Sequence, residues 1–236
     1  MYGSIRKESL CYAFSMCGRA WQSITEADFK RLFQVELPEA FVPRHNLAPT
    51  QDLLIVLQDD DGKKAHLAHW GLKTSASQPA SLSTFNARSE TASTSPLYGD
   101  AFRSRRALIP LSGIYEWIGG KGKRKPVGIT RKDGRPVVCA GLWQELEGQV
   151  TCTILTTAPL GVFADVHDRQ PLLLPQNRWG AWLDPATSVE DARNLMGASD
   201  LHRAMKVYTV DPAVGNVRND SALLCEPFMP FSAIAG

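Results

Sequence analysis

Short β-forming segments, each bounded by turn-forming residues, recur along this chain and constrain its fold more than any other feature. Residues 53–57 and 65–70 flank a charged turn at 59–62 that ends in glycine, and this arrangement predicts a β-hairpin. Residues 150–156 alternate β-branched side chains and predict a sheet strand. A chain with many such segments and only short helical stretches buries its apolar side chains mainly by pairing strands.

The remaining segments extend this pattern over one domain. Further strands are predicted at 107–117, with an interruption at Ser112 and Gly113, and at 206–210; a hairpin tip is predicted at 118–126, and a second hairpin joins 127–130 to 137–142. Helices are predicted from the capping-box-like sequence at Thr25 to just before Pro38, over 176–183 and over most of 188–204. We therefore expect an α+β fold: a single domain with a distorted, mainly antiparallel, barrel-like sheet and short flanking helices. We expect residues 16–236 to form this domain, and residues 1–15 to be an N-terminal extension that is disordered or not part of the active protein.

Composition excludes several classes of protein. No apolar run approaches the eighteen residues that a membrane span needs, and the five cysteines stand at scattered positions that suit neither a disulfide framework nor a zinc site. We expect a cytoplasmic protein in a reducing compartment. No P-loop, dinucleotide fingerprint or metal-binding motif is present, so we expect no cofactor and no metal. The net charge of +2 does not by itself indicate a nucleic-acid binder, so such binding would need a local patch; the candidates are 103–106 and 121–125.

The tetrapeptide at residues 16–19, Met-Cys-Gly-Arg, could be the true beginning of the protein. If Met16 were the first residue and were removed, Cys17 would carry a free α-amine beside its thiol. At neutral pH roughly a few hundred times more of an α-amine than of a lysine side chain is unprotonated, and imine formation needs that free base. The alternative is a buried structural cysteine behind an ordinary N-terminal segment.

Four further residues could support chemistry at such a terminus. Asn86 and Arg88 lie at a loop-to-helix junction, Glu116 stands between two aromatic residues of a strand, and His167 belongs to a polar cluster ahead of an apolar run. Imidazole and carboxylate groups move protons, and an amide can orient a nucleophile. Three of them also have a structural alternative: a helix N-cap for Asn86, an ion pair at a rim for Glu116 and a loop anchor for His167.

These residues lie in four of eight motifs that resemble, in the same order, those of the SRAP-domain family, the SOS-response-associated peptidases or abasic-site processing proteins. The resemblance covers about residues 16–226, and the motifs are Met-Cys-Gly-Arg (16–19), Asn-Leu-Ala-Pro (46–49), Trp-Gly (70–71), Asn-Ala-Arg-Ser-Glu (86–90), Gly-Ile-Tyr-Glu-Trp (113–117), Thr-Thr-Ala (156–158), His-Asp-Arg-Gln-Pro (167–171) and Val-Gly-Asn-Val (214–217).

The resemblance implies a sensor of abasic sites in single-stranded DNA that crosslinks itself to the lesion. Carried onto this chain, it makes Cys17 the nucleophile, Asn86 its orienting residue, and Glu116 and His167 the proton carriers. The product is a thiazolidine. The resemblance also implies DNA contacts: Arg19 and Arg88 on phosphates that flank the lesion, Arg169 as a further contact, and Trp70 on an exposed base, with core packing as the alternative for Trp70. We further expect a monomer that is nucleoid-associated when bound to DNA, takes part in the DNA damage response, and has lyase and autoproteolytic peptidase activity.

Two departures from the family pattern bear on these expectations. Fifteen residues precede Met16, and a Cys17 whose nitrogen is an amide could not form the imine. Translation from Met16, removal of residues 1–16, or loss of crosslinking would each account for this, and we favour translation from Met16. The other departure is His45, where the family more often has tyrosine. Two other functions stay open: a cysteine peptidase that uses Cys17 and His167, and a non-catalytic module that binds single-stranded DNA through its basic loops and Trp70.

Overall fold

The computed structural model describes residues 18–75, 84–120 and 123–228, so Cys17 and the extension at 1–15 lie outside the described residues. The strands within these ranges are β1 (Ala20–Gln22), β2 (Arg44–Leu47), β3 (Asp52–Asp59), β4 (Gly62–Trp70), β5 (Asn86–Arg88), β6 (Arg106–Leu111), β7 (Gly113–Ile118), β8 (Lys125–Arg131), β9 (Val137–Leu146), β10 (Gln149–Thr157), β11 (Gln170–Pro171) and β12 (Met205–Thr209). The α-helices are α1 (Glu26–Phe33), α2 (Ser89–Ala92), α3 (Gly99–Ser104), α4 (Trp179–Leu183) and α5 (Val189–Leu195). Short 3-10 segments cover Gly161–Phe163, Gln176–Arg178, Asp200–Ala204, Pro212–Gly215 and Ala222–Cys225.

Five strands close into a barrel. β10 pairs with β4, β4 with β3, β3 with β6, β6 with β9, and β9 pairs with β10 again. β5 and β11 add to β10 outside this ring. A second sheet has the order β12-β8-β7-β1-β2 and is antiparallel throughout. The prediction of a single α+β domain with a mainly antiparallel, barrel-like sheet is confirmed.

Except for β4, which is mostly half-buried, the barrel strands bury both of their faces, each against a different layer. Along β3, Leu53, Ile55 and Leu57 belong to a core shared with the second sheet, which we call the central core. Leu54 and Val56 point the other way and pack with the helices. This alternation with a period of two residues explains why the strands are rich in apolar residues on both faces.

Gln22 joins the second sheet to the barrel. Its side chain is buried, and its amide oxygen accepts from Leu54 N (2.8 Å) while its nitrogen donates to Leu54 O (2.8 Å) and Pro110 O (2.7 Å). These contacts satisfy backbone groups of β3 and β6 beyond the two residue pairs at which those strands pair directly. The Gln22 side chain therefore takes the place of backbone hydrogen bonds between β3 and β6 where these two strands separate.

Most of the predicted elements are confirmed, including the β3–β4 hairpin and the capped start of α1, where Thr25 accepts from Asp28 N. The break at Ser112 separates β6 and β7 into different sheets. The second predicted hairpin is wrong, because β8 pairs with β7 and β12, whereas β9 pairs with β6 and β10. The turn through Gly134 (φ 74°) reverses the chain as expected, but it carries the chain from one sheet to the other. In the part of the chain that the structure describes, no helix is long and apolar enough to cross a membrane.

Candidate functional site

The first described residues run antiparallel to β7 and bring the N-terminal end of the domain to Glu116. Ala20 lies opposite Ile114, and Tyr115 N donates to Arg19 O at 3.0 Å. Arg19 thus lies opposite Tyr115, and the next pair in this register is Gly18 and Glu116. The chain thus enters the described structure at the half of β7 that carries the carboxylate.

Glu116 is buried, with 5% of its surface exposed, and it shares the face of β7 that carries Ile114. Since Ile114 belongs to the central core, the carboxylate also points to the space between the second sheet and the barrel. Its cross-strand neighbours on the same face are Val127 and, beyond it, the buried Thr209. The alternative of an ion pair at an exposed rim therefore does not describe Glu116, because its carboxylate is buried.

Asn86 and Arg88 lie on β5, which runs parallel to β10. Asn86 pairs in register with Ile154, a central-core residue, whereas Ala87 packs on the helix side. Asn86 and Arg88 therefore share the face directed to the central core, and Arg88 is exposed. The helix N-cap alternative for Asn86 is wrong, because the N-cap position of α2 is Arg88 and no side chain caps it.

His167 follows the 3-10 segment at Gly161–Phe163, and its backbone N–H donates to Phe163 O at 2.9 Å. Phe163 and Val166 pack in or against the central core, so His167 stands at its edge with 22% of its side chain exposed. Nδ1 lies 3.2 Å from Arg169 N and 2.6 Å from Asp168 Oδ1. Nδ1 accepts from Arg169 N or, when it carries a proton, donates to Asp168. The loop-anchor interpretation of His167 thus describes Nδ1 and leaves Nε2 for another role.

Arg169 is held by the protein itself. Its guanidinium donates to both carboxylate oxygens of Glu90 (2.5 and 2.8 Å) and to Thr156 O (2.6 Å), and 11% of the side chain is exposed. The hydrogen bond from Arg169 holds the pKa of the Glu90 carboxyl below its usual range. Binding of phosphate by Arg169 stays a prediction, and it concerns a cation whose charge is already balanced.

Arg19 is held differently, by neutral groups. One of its terminal nitrogens donates to Asn46 Oδ1 (2.5 Å) and Val214 O (2.8 Å), and the other donates to Gly215 O (3.0 Å). The guanidinium also lies over the Trp117 ring, 5.7 Å from its centroid. Partial burial lowers the pKa of Arg19 from its usual value. Asn46 belongs to the motif at 46–49, but the sequence analysis gave it no role. The pattern that could have pointed to it is a polar amide in a strand that precedes an apolar strand.

Two sequence-based expectations for DNA contacts do not agree with the structure. Trp70 is fully buried, its Nε1 donates to Phe85 O (2.9 Å), and its ring packs edge-on against Phe85, so the core-packing alternative describes it. Of the basic segment 103–106, Arg106 is buried and donates to backbone carbonyls, which leaves no continuous basic patch there. The basic segment at 121–125 is only partly within the described residues.

The arrangement thus brings three of the candidate residues to one core. Asn86 pairs in register with Ile154 on the barrel side, Glu116 lies two residues from Ile114 in the second sheet, and His167 follows Phe163 and Val166, so each lies near a residue of the central core. A carboxylate, an imidazole nitrogen and an amide around one core can move protons and orient a reacting group. Among residues 18–75, 84–120 and 123–228, no group of three or more His, Cys, Asp or Glu side chains could hold a metal ion.

Comparison with known proteins gives a consistent result. Abasic site processing protein YoqW of Bacillus subtilis is 32% identical to this chain over 223 residues, which are 89% of this chain and 99% of YoqW. Abasic site processing protein YedK of Escherichia coli is 30% identical over 227 residues, 90% of this chain and all of YedK. A solved structure of a phage-related protein from Bordetella bronchiseptica matches with a TM-score of 0.67 and 30% identity, over 82% of this chain and 94% of that one. The profile of the SOS response associated peptidase (SRAP) family matches residues 16–217. The chain therefore belongs to the SRAP family.

Proposed function

We propose that this protein processes abasic sites in single-stranded DNA, and that it does so by forming a covalent thiazolidine crosslink through the α-amine and thiol of Cys17. The observation that carries the proposal is the register of β1 on β7. It puts Gly18, the residue after Cys17, beside the buried Glu116, at the core that Asn86 and His167 also adjoin. The names of the relatives YoqW and YedK support abasic-site processing as the broader activity.

The proposed chemistry needs only groups of the protein and the lesion. The unprotonated α-amine of Cys17 attacks the aldehyde carbon of the ring-opened deoxyribose, which forms a C–N bond and a carbinolamine. Loss of water gives the imine. The thiol sulfur then adds to the imine carbon, and the thiol proton ends on the nitrogen, which yields a thiazolidine and one released water overall. Amine attack needs a base and dehydration needs an acid, and these are the roles proposed for Glu116 and His167.

The DNA has to be held by its backbone, because an abasic nucleotide offers no base to the pocket. Arg88 is exposed on the face of β5 that carries Asn86, and Arg19 is fixed one residue from Gly18. We propose these two arginines as phosphate contacts, because Arg19 is near Cys17 in the chain and Arg88 is near Asn86 on the same strand. Arg169 is already paired with Glu90, so we propose that its contribution to phosphate binding is indirect.

The free α-amine sets a condition on the N-terminus. The crosslinking form begins at Cys17, which translation from Met16 and removal of that methionine would produce. A chain that keeps residues 1–16 has an amide nitrogen at Cys17 and cannot form the imine. The SRAP profile match begins at Met16, which supports this choice of start.

Intact-mass analysis tests the proposal directly. Protein that begins at Cys17, protein that keeps residues 1–16, and a Cys17→Ser variant of the shorter form are each incubated with single-stranded DNA carrying one abasic site, and with undamaged DNA as control. We expect only the first to give an adduct that survives denaturation, with the mass of protein plus DNA minus one water. Equal adduct from the Cys17→Ser variant would contradict the thiazolidine.

Other outcomes separate the competing functions. Salt-sensitive binding that is indifferent to the abasic site, with no covalent adduct, indicates a binding module. Cleavage of peptides by the longer form, lost in its own Cys17→Ser variant, indicates a cysteine peptidase, since a thiolate nucleophile works with a blocked amine.

A further inference from the structure

Asn46 is a fully buried polar residue in a strand at the edge of the second sheet. Its Nδ2 donates to three backbone carbonyls of the segment 214–219, those of Val214 (3.1 Å), Asn216 (3.1 Å) and Asn219 (2.9 Å). Its Oδ1 accepts from Arg19 at 2.5 Å. One amide therefore ties the loop at 214–219 to the guanidinium next to the N-terminal end of the domain.

The partners of Arg19 share one property, which is that all of them are neutral. They are the Asn46 amide, the carbonyls of Val214 and Gly215, and the face of the Trp117 ring. Within the described ranges no carboxylate lies at ion-pair distance from Arg19. Other arginines near the site are paired with carboxylates: Arg169 with Glu90, and Arg44 with Asp220.

Neutral partners orient a guanidinium without cancelling its charge. Half-burial of an unbalanced cation costs free energy, which hydrogen bonds from carbonyl and amide oxygens reduce only in part. An incoming anion can supply the missing interaction, and guanidinium binds phosphate oxygens with good geometry. An aspartate at position 46 has nearly the same shape and would also accept from Arg19, which would neutralise that cation. Its second oxygen could not donate to the three carbonyls that Nδ2 holds, so the variant would also be less stable.

We infer that Asn46 is a positioning residue that holds Arg19 in place while leaving its charge available to a DNA phosphate. This inference rests on the proposed function in that the anion is DNA. Asn46 also fixes the loop whose Val214 and Gly215 carbonyls orient the same guanidinium, so the amide, the loop and Arg19 act as one unit. Asn46 touches no substrate and acts only through Arg19.

The salt dependence of DNA binding tests the inference. For undamaged single-stranded DNA, the slope of the logarithm of the binding constant against the logarithm of salt concentration changes by about 0.7 for each phosphate contact. We expect Asn46→Asp to reduce this slope by about 0.7, and Arg19→Met to reduce it by the same amount. The double variant should lose no further phosphate contact, because Arg19 supplies the only one at issue, but it leaves the new carboxylate unbalanced, so its DNA affinity should fall below that of either single variant.

Asn216→Asp is the matched control. It adds the same negative charge, but to the loop that Asn46 contacts and at an exposed residue. The Oδ1 of Asn216 accepts from Arg218 N, a contact that aspartate keeps. Its effect on the slope should be clearly smaller than that of Asn46→Asp. Equal effects of the two would show a general charge effect and overturn the inference.

Folding and function are separated by further measurements. A purely structural role for Asn46 would lower the thermal midpoint of Asn46→Asp and leave the salt slope unchanged, which would contradict the inference. If Asn46→Asp does not fold, Arg19→Met still decides, since an unchanged slope in that variant overturns it. The slope is measured on undamaged DNA, so failure of the inference is distinct from failure of crosslinking, which is measured on abasic DNA.

Discussion

Arg106 shows how one residue of a basic sequence segment can be wholly structural. It is almost fully buried and donates to five carbonyl oxygens, those of Phe102, Arg103, Trp182, Asp184 and Thr187. Its guanidinium also lies over the Trp182 ring, 5.9 Å from the centroid. The C-terminal ends of α3 and α4 thus share one cation, which satisfies carbonyls that those helices leave unpaired.

We predict that Arg106→Lys lowers the free energy of unfolding by about 2–4 kcal/mol, because an ammonium has three donors on a single atom and cannot reach five carbonyls. Urea unfolding measures the change. Arg103→Lys is the matched control: Arg103 is exposed and its side chain pairs with the exposed Asp100, so we expect a change within about 0.5 kcal/mol. Similar losses in both variants would contradict the role assigned to Arg106.

The Glu90–Arg169 pair makes a second prediction at this scale, on pH. The pKa of Glu90 is lower in the folded than in the unfolded state, chiefly through the hydrogen bond from Arg169. Its stabilisation is therefore complete above the unfolded pKa, near 4.5, and is lost as the pH falls through the lower folded pKa. Glu90→Gln should lower the free energy of unfolding at pH 7 by less than about 1 kcal/mol, because the carboxylate is half exposed.

Urea unfolding of the wild type and of Glu90→Gln at pH 7 and at pH 3 checks this expectation. The difference between the two proteins should shrink at pH 3, because this pH lies below the unfolded pKa of the carboxyl and part of the stabilisation is already lost. A difference that is the same at both pH values would mean that the charge of Glu90 does not contribute.

At the scale of elements, the approach of β1 to β7 depends on a glycine. A Cβ atom on Gly113 would come within 2.2 Å of the Trp21 ring, and Trp21 itself packs against Tyr115 with ring centroids 4.5 Å apart. This contact explains why the motif at 113–117 begins with glycine. It also links the motif to the site, because the same β1–β7 pairing carries Gly18 to Glu116.

We predict that Gly113→Ala lowers the free energy of unfolding by about 3 kcal/mol, because the Trp21 ring has to move out of a packed position. The same variant should slow crosslinking, since the displaced β1 moves Gly18 away from Glu116. Gly120→Ala is the control in the same hairpin, where an added Cβ has no neighbour within 4 Å. Thermal unfolding and the crosslinking rate measure both effects; a Gly113→Ala protein as stable as Gly120→Ala would contradict the prediction.

Local sequence signals predicted the elements well and their partners less well. The turn at 59–62 joins strands that pair with each other, as expected, whereas the similar turn at 132–135 does not. A turn signal specifies a reversal, but the partner depends on which neighbours bury both faces of a strand. β9 is buried from Val137 to Trp143 and needs a strand on each side, which β6 and β10 provide within the barrel. No short segment of the sequence shows which distant strands will pair with β9.

For the molecule as a whole, the sequence predicted the family, and the catalytic roles of Cys17, Asn86, Glu116 and His167 stay predictions, whereas the sequence did not show which cations and aromatic rings are buried or paired. Trp70 and Arg106 are buried, and Arg169 is paired, because tertiary contacts rather than residue type decide which cations and rings face solvent. Asn46 had no role until the structure showed its contacts to a loop about 170 residues further along the chain. Long-range hydrogen bonds of this kind leave no periodic trace in a sequence.

The small net charge of +2 leads to a prediction about capture of DNA. Electrostatic attraction governs how often the DNA is bound, and it weakens as salt rises. A covalent product, once formed, does not depend on that attraction. With excess protein, raising the salt should therefore slow crosslinking to an abasic oligonucleotide, while the final yield after long incubation stays the same. Denaturing electrophoresis over time at two salt concentrations measures both quantities. A final yield that falls with salt in proportion to the initial rate would mean that the adduct forms and reverts in step with non-covalent binding, contrary to a stable thiazolidine.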